Sequence, residues 1–229
     1  MMVFLYYVLI KEEKTRRYIK DFSLKIKDFS KEMFEKLIRL GFPTALQLFF
    51  EVTAFAGAAF ICGLISAKDI AAHQIALSMA SFTFNLCVGF SVASTVMIGR
   101  KLGEKDFVNL EKVGFNNLKI AFLFMLMCGI FFILGRNILP TFFTKKEDIE
   151  VINLASKLMI IAALFQLSDG IQVTALGCLR GIQDVKIPSI LTFIAYWVIT
   201  IPLGYYLCFV IKMGAFGMWI ALGIGLTIS

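Results

Sequence analysis

The sequence has a single histidine, His73, and nothing of the form HExxH, GxxxxGK[ST] or CxxC. Each absence closes a class of chemistry. A lone histidine with no nucleophile beside it makes a poor hydrolase, and a helix without paired histidines does not build a metalloprotease zinc site. Without a phosphate-cradling loop, any transport the chain performs draws on an ion gradient or on a partner ATPase. The five cysteines, Cys62, Cys87, Cys128, Cys178 and Cys208, are scattered through apolar stretches with no metal-ligand spacing. They read as small buried hydrophobes, not as a disulfide framework. A secretory leader is missing as well. The opening MMVFLYYVLIKEEK has a short apolar run, no basic region before it and no small-residue cleavage site. It reads as the last turns of a transmembrane helix.

Charge is the scarcest commodity. Only 17% of residues are charged and 59% are hydrophobic, against about a quarter and about 45–50% in soluble domains. The apolar residues are gathered into long runs, and roughly 20 such residues in a helix cross about 30 Å of hydrocarbon. The chain is therefore an all-α integral membrane protein. The first full span runs from about Leu37 to Ile65 and opens at Gly41-Phe42-Pro43. The second, from about Ile70 to Ile98, is rich in small residues such as Ala72, Ala76, Ala80, Gly89, Ser91 and Ser94, which let membrane helices approach closely. The third, from about Val113 to Leu134, has no polar face and suits contact with lipid. A polar connection with Pro140 follows, and Thr144 with Glu147 three residues on marks a helix start. The fourth span runs from about Ile149 to Leu179, and the fifth from about Ile187 to Val210 with Pro188 and Pro202. The closing GAFGMWIALGIGLTIS makes a sixth helix that is short for a span, so five spans are complete.

The net charge of +7 is explained by topology rather than by nucleic acid. Residues 11–39 carry ten Lys or Arg, residues 100–119 five and residues 180–186 two. The alternate connections hold five, Lys68, Arg136, Lys145, Lys146 and Lys212, and Lys157 lies near the start of the fourth span. The richer set belongs on the cytoplasmic side. Within residues 11–36, Phe22, Leu24, Ile26 and Phe29 alternate with lysines, the pattern of an amphipathic segment on the cytoplasmic membrane surface. The domain division is therefore residues 1–36, the end of a preceding span plus a surface linker, and residues 37–229, a transmembrane lobe with an incomplete last helix.

Ionisable groups inside a span are costly and mark function by default. Glu51 lies mid-span in GFPTALQLFFEVTAFAGAAF and Asp169 in IIAALFQLSDGIQVTALG. Gln47 shares a helix face with Glu51, and Gln166 and Gln172 flank Asp169. The pair reads as a cation-coordinating or proton-carrying site; the plain alternative is an interhelical hydrogen bond. His73 and Asn85 are further polar groups in the second span, His73 reading as a hydrogen bond that fixes a helix end. Arg180 marks a cytoplasmic helix end. Tyr196 and Trp197 lie too deep in the fifth span for an interfacial belt.

Four stretches carry a resemblance: LGFPTALQLFFEVTAF, DIAAHQIALSMASFTF, GFSVASTVMIGRKLGEKD and LFQLSDGIQVTALGCLRGIQDVKIPSILTFIAYWVITIPLGY. In this order and spacing the chain resembles the C-terminal half of a multidrug and toxic compound extrusion (MATE) transporter. The resemblance implies a six-helix lobe, one of two related about an axis along the membrane normal. It implies export of cationic and amphipathic organic compounds in exchange for Na⁺ or H⁺, with no further cofactor, and an N-terminal six-helix lobe as partner. It puts Glu51 and Asp169 at the two acids of the C-lobe cation site. Many relatives have Tyr where this chain has Phe165, so one hydroxyl contact is missing. The alternatives are a lipid-linked sugar flippase of similar architecture, which would expose a more basic cavity, and a non-transporting membrane fragment or assembly subunit. The charge bias makes a direct prediction. Cysteine placed at Lys145 reacts with a membrane-impermeant thiol reagent in sealed cells, and cysteine at Lys25 is protected; equal labelling overturns the orientation.

Overall fold

The structure is a computed structural model and describes residues 30–145 and 147–229. The chain divides into two compact units, residues 1–39 and residues 40–229. In the first, Lys31 pairs with Glu35 one turn on, at 3.8 Å and fully in solvent, a contact worth only a few tenths of a kcal/mol. The expected end of a preceding span, and most of the amphipathic segment with Phe22, Leu24, Ile26 and Phe29, lie outside the described residues.

Six helices follow one another: α1 (Lys31–Ile65), α2 (Ala67–Gly103), α3 (Phe107–Gly135), α4 (Ile149–Gly181), α5 (Lys186–Val210) and α6 (Ala215–Ile228). The first five are long and apolar enough to cross a membrane; α6, at 14 residues, is shorter. Several helices outrun their apolar runs because polar residues cap them. Ser66 accepts from the Asp69 amide at 3.0 Å, and Asp106 accepts from the Asn109 amide at 3.3 Å. The expected start at Thr144 is corrected. The fourth helix begins at Ile149 with Asp148 as its N-cap, and the Thr144 hydroxyl is spent on the Asp148 carboxylate at 2.9 Å.

Between α2 and α3 the turn is laced by charge. Lys101 donates to Glu104 at 2.8 Å and to Asp106 at 3.1 Å, and Arg100 donates to Glu104 at 2.9 Å. The Lys101 bond holds the Glu104 carboxyl below its usual range, and the Asn109 bond does the same for Asp106. Both groups are exposed, so the gain is small. It is present above the ordinary carboxylate range and is lost as pH falls through the lowered values.

The packing centres on α4, which lies closely along α2 and also against α3 and α6. Small residues permit the close approach. A Cβ at Gly177 would run into the Ser91 carbonyl, and one at Gly170 would stand 2.5 Å from Met125 Cγ. The Thr95 hydroxyl, shared with the Ser91 carbonyl, also donates to the Gly177 carbonyl at 2.8 Å. One ridge of α3, Ala121, Met125, Gly129 and Phe132, is buried, while Leu123, Met127, Phe131 and Leu134 are exposed. That division fits a helix turned to lipid, as expected of a span without a polar face.

At the opposite end from the Lys101 turn, Asp69 ties two helices together. It accepts from Ser66 at 2.5 Å and from the Ala215 amide at 2.8 Å, which caps the start of α6. Gly214, with φ at +61°, supplies the left-handed turn, and a Cβ there would meet the Asp69 carboxylate at 2.8 Å. Lys68 and Glu150 pair at 3.2 Å beside it, so α2 and α4 start at the same end of the bundle.

Two helices depart from this close packing. α1 makes no comparable backbone approach to another helix among the described residues; it stands off on aromatic side chains. α5 widens into π-helix at Ile194–Thr200 and Tyr206–Val210. Pro202 explains the first widening. It has no N–H to give, its ring crowds the carbonyl one turn back, and the Thr200 hydroxyl donates to the Ala195 carbonyl at 2.8 Å.

The α2–α4 contact makes a stability prediction. Gly177→Ala forces a methyl onto backbone and costs about 1–3 kcal/mol, read as a lower melting temperature of the purified chain. Gly89→Ala, on α2 with open space around it, does not lower the melting temperature, since alanine suits a helix interior at least as well as glycine. Equal effects at the two positions contradict this packing.

Candidate functional site

The stand-off of α1 leaves a cavity of about 360 Å³ between α1, α2 and α4. Its charged lining groups are both acids, Glu51 from α1 and Asp169 from α4; Gln74 and Ser81 line it from α2, and the rest of the wall is apolar. Asp169 is buried, 4% exposed, and Glu51 is half-buried. Neither carboxylate has a side-chain partner within hydrogen-bonding geometry among the described residues.

Geometry puts the two acids at one level. α2 and α4 start at the same end, and α1 finishes there, so α1 and α4 run antiparallel. Phe55 stands one turn after Glu51, and Phe165 one turn before Asp169. Their rings meet edge to face with centroids 6.1 Å apart, a favoured aromatic arrangement. Stepping one turn back from Phe55 along α1 and one turn on from Phe165 along α4 moves in the same direction along the bundle. The Phe55–Phe165 layer therefore sits directly above the Glu51–Asp169 layer and closes it from one side.

α5 packs on α1 beside the cavity without lining it. Phe193 packs on Phe50 with centroids 4.9 Å apart, the Trp197 indole donates to the Phe50 carbonyl at 3.3 Å, and Tyr196 packs on Phe55 at 6.0 Å. Tyr196 is 0% exposed and its hydroxyl has no hydrogen-bond partner; the Gln172 side chain lies near it, outside hydrogen-bonding geometry.

The other expected polar groups divide. Gln47 is buried one turn from Glu51 with its amide nitrogen unpaired among the described residues, and does not line the cavity. Gln166 turns away: it accepts from Thr83 at 3.1 Å and donates to the Met125 carbonyl at 3.3 Å, stitching α4 to α2 and α3. Gln172 donates to Ser229 at 2.6 Å. Asn85 is exposed and donates to the Ser81 carbonyl on its own helix at 2.7 Å. His73 is fully buried against Trp219, ring centroids 5.9 Å apart, with both ring nitrogens unpaired, and does not line the cavity. Sequence reasoning missed Gln74 and Ser81 as lining residues. Their seven-residue spacing puts both on one face of α2 and was the available signal.

Among the described residues no three His, Cys, Asp or Glu gather where they could hold a metal ion. Two carboxylates that approach in a dry place do not both stay ionised cheaply unless a cation or a proton sits with them. The arrangement thus suits loading and release of a small cation.

The MatE family model matches residues 43–206. The chain is 37% identical over 200 residues to "Multidrug resistance protein MdtK" of Yersinia pseudotuberculosis, covering 86% of this chain and 43% of that protein. It is 38% identical over 195 residues to "Probable multidrug resistance protein NorM" of Agrobacterium fabrum, covering 84% and 42%. A solved structure described as the outward-facing conformation of a multidrug resistance MATE family transporter of the MOP superfamily superposes with a TM-score of 0.84 at 20% identity, over 99% of this chain and 50% of that one. That likeness shows a six-helix MATE-type lobe. The chain spans about half the length of the relatives it matches.

Proposed function

Because the chain belongs to the MatE family, we propose that it forms the C-terminal lobe of a cation-coupled multidrug efflux antiporter, with Glu51 and Asp169 as the ion-coupling acids of that lobe. It is a multi-pass protein of the inner membrane. The complete transporter adds a second six-helix lobe, from the same polypeptide or a separate chain, and exports organic cations and amphipathic compounds against a Na⁺ or H⁺ gradient.

The observation that carries the reading is one cavity whose charged lining groups are two acids from different helices. An ion entering between them relieves their mutual repulsion and favours whichever packing of α1 against α4 brings them together. A ligand biases a conformational equilibrium only by such a difference in affinity between states. Organic cation and coupling ion need not occupy one position; they need only favour different states. Gln47, a turn from Glu51, serves as a supporting group. The absence of Lys and Arg from the lining favours a small cation over the anionic headgroup that a lipid-linked sugar flippase would hold.

The test uses a two-lobe transporter that carries this lobe. Glu51→Gln and Asp169→Asn each keep the side-chain shape and remove the charge. Both variants insert normally and lose gradient-driven efflux of a fluorescent organic cation, with the effect of Na⁺ or pH weakened by about tenfold or more. Export with unchanged ion dependence in either variant makes that acid structural.

A further inference from the structure

The cavity of the two acids is closed on one side by Phe55 and Phe165, and what backs Phe165 lies outside the cavity. Trp219 of α6 packs edge to face on the Phe165 ring, centroids 5.6 Å apart. The same indole meets the His73 ring of α2 at 5.9 Å. Phe55, Phe165, Trp219 and His73 thus make one column that takes a ring from each of α1, α4, α6 and α2. Phe55 and Phe165 line the cavity; Trp219 and His73 do not, and both are fully buried. The Trp219 indole nitrogen and both His73 nitrogens have no hydrogen-bond partner among the described residues, although buried polar rings ordinarily find one. Packing alone holds this part of the column, so a ring displaced at one end presses on the next.

The far end of the column meets the tie between α2 and α6. Both helices start there, and Asp69 accepts from the Ala215 amide at 2.8 Å. His73 follows Asp69 by four residues and Trp219 follows Ala215 by four. The ring pair is therefore the next layer in the same register, one turn deeper. A second bond holds the same point: the Cys208 thiol of α5 donates to the Gly214 carbonyl at 3.2 Å. Beside Trp219, Met218 fills the space over Gly204 of α5, where a Cβ would stand 2.5 Å from its sulfur. The indole is thus seated on a closely packed helix and follows that helix. A shift at the start of α6 reaches the Trp219 ring and, through it, Phe165, one turn before Asp169.

We infer that Trp219 is a positioning residue for the acid cavity: it holds Phe165 in place and couples the Asp69–Ala215 tie at one end of the bundle to loading of the two acids. The inference rests on the reading of Glu51 and Asp169 as the coupling pair. With the tie made, α6 keeps Trp219 against Phe165 and the ring layer stays closed over the acids. With the tie broken, α6 slackens at its start, Phe165 loses its backing and the layer opens toward that end. The influence runs both ways, since coupling between two sites is reciprocal. An ion that changes the spacing of Glu51 and Asp169 moves the Phe55–Phe165 layer and works back through Trp219 on the tie.

The test follows loading of the purified full chain as a gain in melting temperature. Na⁺ is titrated at fixed pH with K⁺ holding ionic strength, pH is titrated separately in K⁺, and the midpoint is taken for whichever ion gives the gain. Asp69→Asn and Trp219→Leu, both outside the cavity, each shift the midpoint by about fivefold or more. Together they shift it no further than the larger of the two. Trp219→Phe keeps a ring against Phe165 and stays within about twofold of the unmodified midpoint. An unmoved midpoint in Asp69→Asn or Trp219→Leu overturns the inference, as do shifts that multiply in the double variant or a Trp219→Phe that matches Trp219→Leu. A second measurement leaves the column intact should those variants fail to fold. The chain has two tryptophans, so Trp197→Phe makes Trp219 the sole emitter, and its emission moves with the loading midpoint. If Glu51→Gln and Asp169→Asn keep the gain in full, the reading of the acids falls and the inference with it. If those two lose the gain while Trp219 emission stays fixed through loading, only the inference falls.

Discussion

Taking a carboxylate out of water carries a large desolvation penalty, repaid only by a close cation, a proton or several hydrogen bonds. This lobe bears that penalty twice at one level, with Glu51 and Asp169 on the same cavity and neither hydrogen-bonded to a side chain among the described residues. The remaining architecture follows from the need to hold two such groups near each other without letting the bundle close over them. Gln166 shows the contrast. It lies on the same helix as Asp169 and is just as buried, yet both ends of its amide are paired across helices, as a structural polar group in a membrane should be.

The lobe manages this by using two kinds of contact. α2 and α4 meet backbone to backbone through small residues, with Gly177 against Ser91 and Thr95 bonded to the Gly177 carbonyl. That contact is rigid, since any added volume meets main chain. α1 meets its neighbours through rings, Phe50 on Phe193 and Phe55 on Phe165 and Tyr196, and through the buried Ala54, Ala58 and Ile61. Ring contacts keep the backbones apart and slide at lower cost than interlocked glycines. The acid on the rigid helix is therefore Asp169 and the acid on the looser one is Glu51, so under the proposed role an ion bridging them would act on the position of α1.

Much of this was legible in the sequence, because bilayer thickness and the high cost of buried charge are strong constraints. Span order and number, the small-residue face of the second span, the lipid-facing third and the two acids all came from length, composition and depth. The directions of neutral polar side chains did not. Gln166 and Gln172 flank Asp169 at equal spacing, yet one serves α2 and α3 and the other bonds Ser229; helical periodicity gives a face, not the partner across it. The start of α4 was misplaced at Thr144 because a Thr-x-x-Glu pattern fits a cap, whereas the hydroxyl bonds to Asp148 and leaves that residue to open the helix. Tyr196 stood out in the sequence only as too deep for the interface. Its burial against Phe55 depends on the packing of α5 on α1, which no local pattern encodes.

The central claim is that Glu51 and Asp169 form one coupled site rather than two independent acids. A double-mutant cycle on the purified chain tests it most directly, with the gain in unfolding free energy on adding Na⁺ or lowering pH measured for the unmodified chain, Glu51→Gln, Asp169→Asn and the pair. Binding to the folded state alone stabilises it by mass action, so the gain reports loading. The account predicts that either substitution removes most of the gain and that the second adds little, a coupling well above about 0.5 kcal/mol. Losses that add within about 0.5 kcal/mol would mean that the two carboxylates share a cavity without sharing an ion.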